Sequence, residues 1–228
     1  MNVLAIDTAA NLCAACIYDA AADVVRSRRV LDIGKGHAEH LMGTIAGTLE
    51  EAGLSYRDLD CIAVSVGPGS FTGVRVGVSA ARGLALALKI PAIGVSTLEA
   101  LATEARAAFP DRTVAAMIDG RRGDVYLAGY DRDGRLLRDP AAVSLETAGE
   151  FAMTHDAVLA GNGADMLIAS VPAGSRFDVA SRAATGDVTT YARLAALRNA
   201  PFDKPKPLYL RGADARPQTG FTLSRAEG

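Results

Sequence analysis

Histidine is the residue type in this sequence best suited to metal chemistry, and His37 and His40 lie close together. Two ligands rarely make a complete metal site, and the third histidine, His155, is distant in the chain. The letters HAEH also differ from the HExxH pattern of zinc peptidases. We therefore predict no metal site from these residues.

Cysteines are the second group that could do chemistry. Cys13 and Cys16 form a CxxC pattern, and Cys61 makes the number odd, which argues against a disulfide framework. The pair lies in the run LCAACIY, which is typical of a β-strand. Side chains three apart on a strand point to opposite faces, so the two thiols cannot reach one metal ion. We expect small buried hydrophobic side chains instead.

No catalytic nucleophile can be assembled from a motif. Ser70 lies in PGSFT, which is not the GxSxG turn of a hydrolase nucleophile, and no pair of carboxylates stands out. A GxxxxGKS or GxxxxGKT phosphate loop is absent as well. The sequence therefore predicts no catalytic residue and favours a scaffold over an enzyme.

The composition is that of a globular protein, with 228 residues of which 50% are hydrophobic. Basic residues number 24 against 26 acidic ones, for a net charge of −2. A chain that binds nucleic acid unaided normally carries a concentrated basic patch, so this balance argues against autonomous binding. Arg121 and Arg122 are expected to be solvated loop charges, or to lie beside an RNA that a partner holds.

The first ten residues, MNVLAIDTAA, contain no basic segment and no long apolar segment. This pattern is not that of a signal peptide or a membrane anchor. We expect a cytoplasmic location and no membrane contact.

The elements that must position these residues are organised around the stretch from Gly67 to Gly94. An apolar run over 60–66 predicts a buried strand, and a helix is predicted from Gly73 to Lys89 with Thr72 as its N-cap. Its polar residues fall on one stripe, so its other sides must be covered. At spacing four its smallest residues form a low ridge that would admit a second helix: Gly73, Gly77, Ala81 and Ala85.

Another helix is predicted over 36–53, where apolar residues recur at intervals of three and four. The apolar arc is centred near Ala38 and Leu49, and we expect it to face the core. Gly43 and Gly47 lie on the opposite side beside His40, although each costs roughly 0.5–1 kcal/mol relative to alanine in a helix. Bare backbone there favours contact with a partner helix, and a solvated surface is the alternative.

The chain reads as two similar halves. The first begins with two apolar runs, 2–6 and 12–18, and the second begins with two more, 113–118 and 125–130. Short polar turns join the runs of each pair, which predicts a β-hairpin at the start of each half.

Several motifs make the chain recognisable as a whole. The stretch GPGSFTGVRVGVSAARGLALALKIPAIGVSTLEALA resembles the signature of the TsaB (YeaZ) family, the bacterial accessory subunit for tRNA threonylcarbamoyladenosine synthesis. The resemblance extends to AIDTA, GHAEHL, DGRRGDVY and PLYLR, and so covers most of the chain.

This resemblance implies an α/β fold of the actin-like, sugar-kinase-like kind, duplicated into two related subdomains that each contain a mixed sheet and helices. We expect an N-terminal subdomain over 1–105 that carries the partner-binding helices. A smaller subdomain would follow over 106–211, its last helix returning to the first, with a flexible tail over 212–228.

The resemblance also implies a non-catalytic scaffold that binds and activates the catalytic subunit TsaD, together with the ATPase TsaE. Alone, the chain would form a homodimer, and it would meet tRNA only through the complex. No cofactor is expected on this chain, whereas ATP and a divalent metal are expected on the partner subunits. The alternative is an autonomous ATP-dependent enzyme or metallopeptidase of the actin-like superfamily.

The two predicted helices would supply the partner and dimer surface. Its expected residues are His37, His40, Gly43, Thr44, Gly47, Thr72, Gly73, Val76, Gly77, Ala80 and Ala81. Asp7 and Thr8, at the tip of the first hairpin, stand where actin-like folds hold phosphate and its metal, and form a candidate vestigial phosphate site. The reading that we favour is that Asp7 is a turn residue that accepts hydrogen bonds from the following amides.

Overall fold

The computed structural model describes residues 1–172 and 175–211, and the predicted tail over 212–228 lies outside them. Within the described residues the chain forms two five-stranded sheets and six α-helices.

The first sheet consists of β1 (Asn2–Asp7), β2 (Leu12–Asp19), β3 (Val24–Asp32), β4 (Cys61–Ser65) and β5 (Ala92–Val95). The first three strands form an antiparallel meander, and β4 and β5 continue the sheet in parallel on the other side of β1. The strand order is β3-β2-β1-β4-β5. β1 is central and covered on both faces, which explains its nearly unbroken apolar run.

The second sheet consists of β6 (Val114–Asp119), β7 (Asp124–Tyr130), β8 (Leu136–Ser144), β9 (Val158–Ala160) and β10 (Val179–Ser181). Its strand order, β8-β7-β6-β9-β10, repeats that of the first sheet, with the same antiparallel meander and the same parallel pairs. The predicted hairpins and the duplicated actin-like α/β fold are therefore confirmed. β8 and β10 were not predicted.

The helices are α1 (His37–Ala52), α2 (Phe71–Leu88), α3 (Thr97–Ala108), α4 (Leu145–Thr154), α5 (Ala164–Ser170) and α6 (Val188–Ala196). α1 and α2 cover one face of the first sheet, and α4 and α5 cover one face of the second. α3 and α6 lie between the two sheets and contact each other.

The two middle helices are exchanged between the halves. α6 packs on β1 and β2 of the first sheet, where Tyr191 is fully buried, whereas α3 packs on β6 of the second sheet. The predicted boundary at residue 105 falls inside α3. The contacts of each sheet therefore include a helix from the other half of the sequence.

The start of α2 differs from the prediction. Ser70 is the N-cap, and its hydroxyl oxygen accepts a hydrogen bond from the Gly73 N–H at 3.2 Å, so Thr72 lies within the first turn. Among the described residues α2 is the one helix long and apolar enough to cross a membrane by length and composition. Core helices of globular proteins meet the same criterion, and α2 packs on the first sheet.

Candidate functional site

Thr8 lies under the N-terminus of α2, next to Asp7 at the end of β1. Thr8 is fully buried, and its hydroxyl donates a hydrogen bond to the Gly73 carbonyl at 2.7 Å. A Cβ atom added at Gly73 would come within 2.0 Å of the Thr8 carbonyl oxygen. The helix therefore rests on the turn after β1, and glycine is required for this close contact.

Asp7 joins the two halves through a buried hydrogen-bond network. Its carboxylate accepts hydrogen bonds from the hydroxyls of Ser65 and Thr185 and from the Ala9 N–H, the last at 2.9 Å. Thr185 belongs to the second half and also contacts the Tyr191 hydroxyl at 2.7 Å. Burial raises the pKa of Asp7, and these hydrogen bonds oppose the rise. The bond from Ala9 confirms the predicted turn role of Asp7.

His37 and His40 differ in their exposure to solvent. His37 is buried, and its Nε2 has no hydrogen-bond partner among the described residues, whereas His40 is exposed. No cluster of three histidine, cysteine, aspartate or glutamate side chains suited to a metal ion is found within residues 1–172 and 175–211.

The cysteines behave as buried hydrophobic side chains. Cys13 packs on the α1 side of the first sheet and Cys16 on the α6 side, so the predicted separation of the pair is confirmed. Burial raises the pKa of Cys16 to about 12 and that of Cys61 to about 11. Thiols in this state are poor nucleophiles at neutral pH.

α1 is rotated relative to the predicted orientation. Thr44 and Thr48 are buried, and their hydroxyls donate to carbonyls of the preceding turn, at 3.0 Å and 2.7 Å. These intrahelical bonds satisfy the hydroxyls, which can then face the core. Leu41, Ile45 and Leu49 of the predicted arc face the core as expected. The expectation was wrong for the other side of the arc, where Ala38, Met42 and Ala46 are exposed.

The prediction that Gly47 is open to a partner helix was wrong. Gly47 is buried beneath the Arg29 side chain, whose Nη1 would lie 1.9 Å from an added Cβ atom. Arg29 in turn bonds to Glu51 at 2.6 Å. Gly43 has open space around it.

The small residues of α2 make contacts within the chain. Gly73 and Gly77 pack against Thr8, and Ala81 is fully buried in the core beneath the helix. The prediction that this ridge receives a second helix was therefore wrong, because the first hairpin occupies it.

A groove of about 450 Å³ lies between α1 and α2, and we call it the helical groove. Most of its lining is apolar although the groove is open to solvent, and Met42 is 46% exposed. Of the predicted surface residues, those that line it are Thr72, Val76 and Ala80. Those that are buried in the chain instead are His37, Thr44, Gly47, Gly73, Gly77 and Ala81.

A larger cleft of about 890 Å³ adjoins this groove, and we call it the arginine cleft. It is bounded by the start of α2, the β6–β7 turn and the segment 207–211. The Leu208 N–H donates to the Val66 carbonyl at 2.8 Å, which places this segment beside the first sheet. The sequence motifs identified each of these segments, but nothing in the sequence predicted that the segments lie next to one another.

The fold and the surface together define the class: a duplicated actin-like protein with an apolar helical groove open to solvent. The family model for TsaD, tRNA N6-adenosine threonylcarbamoyltransferase, matches residues 32–195. The chain belongs to this family and, within it, to the TsaB (YeaZ) group, as the motifs predicted.

Curated relatives and a solved structure support this placement. The chain is 38% identical over 133 residues to the tRNA threonylcarbamoyladenosine biosynthesis protein TsaB of Escherichia coli, covering 58% of this chain and 56% of that one. The Bacillus subtilis TsaB is 36% identical, with 60% and 58% covered. The matches thus span somewhat more than half the length of these relatives.

Among solved structures, YeaZ from Pseudomonas aeruginosa has a TM-score of 0.76 and 29% identity, covering 92% of this chain and 99% of that one. A second Pseudomonas aeruginosa structure with the same values is described as similar to peptidase YEAZ.

Proposed function

We propose that this chain is a non-catalytic subunit in tRNA threonylcarbamoyladenosine biosynthesis, and that it binds and activates TsaD through the helical groove. The names of the curated relatives support the pathway. The ATPase TsaE belongs to the same proposed assembly, which meets tRNA in the cytoplasm.

The observation that carries the proposal is the exposure of apolar side chains on both helices that flank the groove. Met42 and Phe71 are 46% and 60% exposed, and Ala38 and Val76 line the groove with them. Contiguous apolar surface of this kind marks an interaction site, because burying it against a partner removes it from water.

A partner related to this chain fits the groove. The same family model describes TsaD and matches this chain, so the two proteins share a related fold. A pair of helices that packs against its counterpart across a pseudo-two-fold axis can serve both a heterodimer and a homodimer. This supports TsaD as the partner in the complex and a second copy when the chain is alone.

The buried state of Asp7 and Thr8 supports a non-catalytic role. Asp7 is 1% exposed and already accepts three hydrogen bonds, and α2 covers Thr8. A carboxylate so covered is not available to a metal-bound phosphate. ATP and a divalent metal are therefore assigned to the partner subunits in this proposal.

The test is a pull-down of TsaD from the same organism with Met42→Glu. We expect capture to fall at least about tenfold, because the new carboxylate must lose its water in the interface. Met153→Glu is the matched control, since Met153 is similarly exposed, at 55%, but lies on α4. Unchanged capture by Met42→Glu would place the interface elsewhere.

The alternative, an autonomous ATP-dependent enzyme or metallopeptidase, has its own test on the pure chain. A ligand that binds the folded state must raise the melting temperature. We expect no shift with ATP and Mg²⁺ or with Zn²⁺, and no ATP or peptide hydrolysis. Turnover that Asp7→Asn abolishes without unfolding the protein would favour the enzyme.

A further inference from the structure

The arginine cleft combines exposed aromatic rings with positive charge. Phe71 and Tyr209 are 60% and 55% exposed, and their ring centroids lie 6.1 Å apart. The Arg75 guanidinium carbon lies 3.6 Å from the Phe71 ring centroid, and Nε of Arg75 donates to the Tyr209 hydroxyl at 2.8 Å. The three side chains form a stack that we call the aromatic stack, and they reach the surface as a unit.

The charge of the cleft has one sign. Four arginines line it and no acidic residue does: Arg75, Arg121, Arg122 and Arg211. Arg211 is held in place by the Gly120 carbonyl at 3.0 Å and by Asp124. The Arg121 side chain forms no hydrogen bond or ion pair within residues 1–172 and 175–211. A concentration of positive charge thus exists locally in a chain whose net charge is −2.

Exposed aromatic rings beside arginines suit a single-stranded nucleic acid. Unpaired bases stack on aromatic rings and on guanidinium planes, while arginines bind the phosphates. A cleft of about 890 Å³ has room for nucleotide units, whereas an acidic peptide would leave the aromatic stack without a matching flat partner. The chemistry therefore favours RNA over a protein segment.

The position of the cleft agrees with this ligand. Phe71 and Arg75 line both the arginine cleft and the helical groove. A partner seated in the groove would thus lie next to whatever occupies the cleft. We propose that the arginine cleft binds a single-stranded segment of RNA, with a base on the aromatic stack and phosphates on Arg121 and Arg122. This rests on the proposed function, which supplies a tRNA as the substrate of the complex.

The test measures binding of a fluorescein-labelled 12-nucleotide single-stranded RNA of mixed sequence to the full chain, alone and with TsaD, between 50 and 200 mM salt. Tyr209→Ala should weaken binding roughly 5- to 150-fold, as expected for the loss of one stacked base, and Tyr209→Phe should retain most of the affinity. Arg121→Ala should reduce the slope of log affinity against log salt by about 0.7. Arg132→Ala, an exposed arginine at the other end of β7, is the charge-matched control and should leave the slope unchanged.

Two competitors identify the ligand. An unlabelled RNA of the same sequence should displace the probe, whereas an RNA duplex of equal length should not. AMP or ATP competing as well as the RNA, on a per-nucleotide basis, would instead assign the cleft to a free nucleotide. Equal affinity of Tyr209→Ala, Arg121→Ala and the parent would overturn the proposal, as would no RNA binding by either the chain or the complex. TsaD capture in these variants reports the proposed function separately, because Met42 is unchanged in them.

Discussion

The tips of the two hairpins occupy the same place in the two halves but have opposite surroundings. β1 ends at Asp7 and β6 ends at Asp119, and each carboxylate accepts a hydrogen bond from the N–H two residues later, at 2.9 Å and 2.7 Å. Asp7 is buried against the hydroxyls of Ser65 and Thr185, whereas Asp119 is exposed beside the arginine cleft. The same hydrogen-bonded turn thus lies in a packed interior in one half and in a charged, solvent-exposed loop in the other.

The segments that meet the first tip account for the difference. Thr185 from the second half contacts Asp7, and α2 covers the next residue, Thr8, at Gly73 and Gly77. The helix that corresponds to α2 in the second half, α5, has 7 residues against 18. In the second tip Gly120 is buried, whereas residues 121–123 are exposed to solvent. Arg121 and Arg122 adopt positive φ angles of 62° and 57°. Duplication conserves the strand order, and the chemistry of each tip then depends on what covers it.

The largest expected effect is at the contact that buries the first tip. Gly73→Ala should lower the free energy of unfolding by on the order of 3 kcal/mol, because its Cβ would lie 2.0 Å from a backbone oxygen that cannot rotate away. Gly83→Ala is the matched control, since the added Cβ meets nothing within 4 Å and should stabilise α2 by about 0.5–1 kcal/mol. Urea denaturation measures both, and equal effects would contradict the close contact.

A smaller difference is expected between the two aspartates. Asp7→Ala should cost about 2–3 kcal/mol, because the hydroxyls of Ser65 and Thr185 and the Ala9 N–H lose their buried acceptor. Asp119→Ala should cost less than about 1 kcal/mol, since water replaces an exposed acceptor. Denaturation of both variants at one pH checks the comparison, which fails if the two costs are alike.

The smallest effect is the pH dependence contributed by Asp7. Burial raises its pKa in the folded protein above the ordinary value of 3.8, so the folded state holds the proton more tightly than the unfolded state. The contribution of Asp7 to the free energy of unfolding therefore falls as pH rises from about 3.8 through the folded pKa. Asp7→Asn removes this titration and should gain stability relative to the parent across that range.

Stability curves against pH for Asp7→Asn and the parent would measure it. A parallel curve for Asp7→Asn would show that the buried carboxyl has the same affinity for protons in the folded and unfolded states.

The sequence predicted most strands of the meanders but not the edges of the second sheet. β8 is an edge strand with mixed exposure and contains Pro140, which removes one N–H and weakens the strand pattern. β10 has three residues, too few for a periodic signal. β8 pairs with the preceding strand β7, and β10 pairs with β9 across the intervening helix α5.

The orientation of α1 shows why the groove could not be predicted correctly. A helix pattern counts threonine as polar and assigns it to the surface, yet Thr44 and Thr48 satisfy their hydroxyls within the helix and face the core. The apolar residues that remained were assigned to the core although Met42 lies at the surface. The prediction that α1 and α2 carry the partner surface remains a prediction, now with different residues.

The sequence by itself determined the features that depend on local periodicity: the two hairpins, the helices 36–53 and 73–89 to within a few residues, and the opposite faces of Cys13 and Cys16. The alternation of apolar residues along a strand and their recurrence every three or four residues along a helix involve only residues close in the chain, so both can be predicted from the sequence. Only the tertiary structure decided that α2 covers Thr8, that Arg29 covers Gly47, and that residue 209 meets Phe71 and Arg75. These contacts join positions far apart in the chain, where distance in sequence carries no information about distance in space.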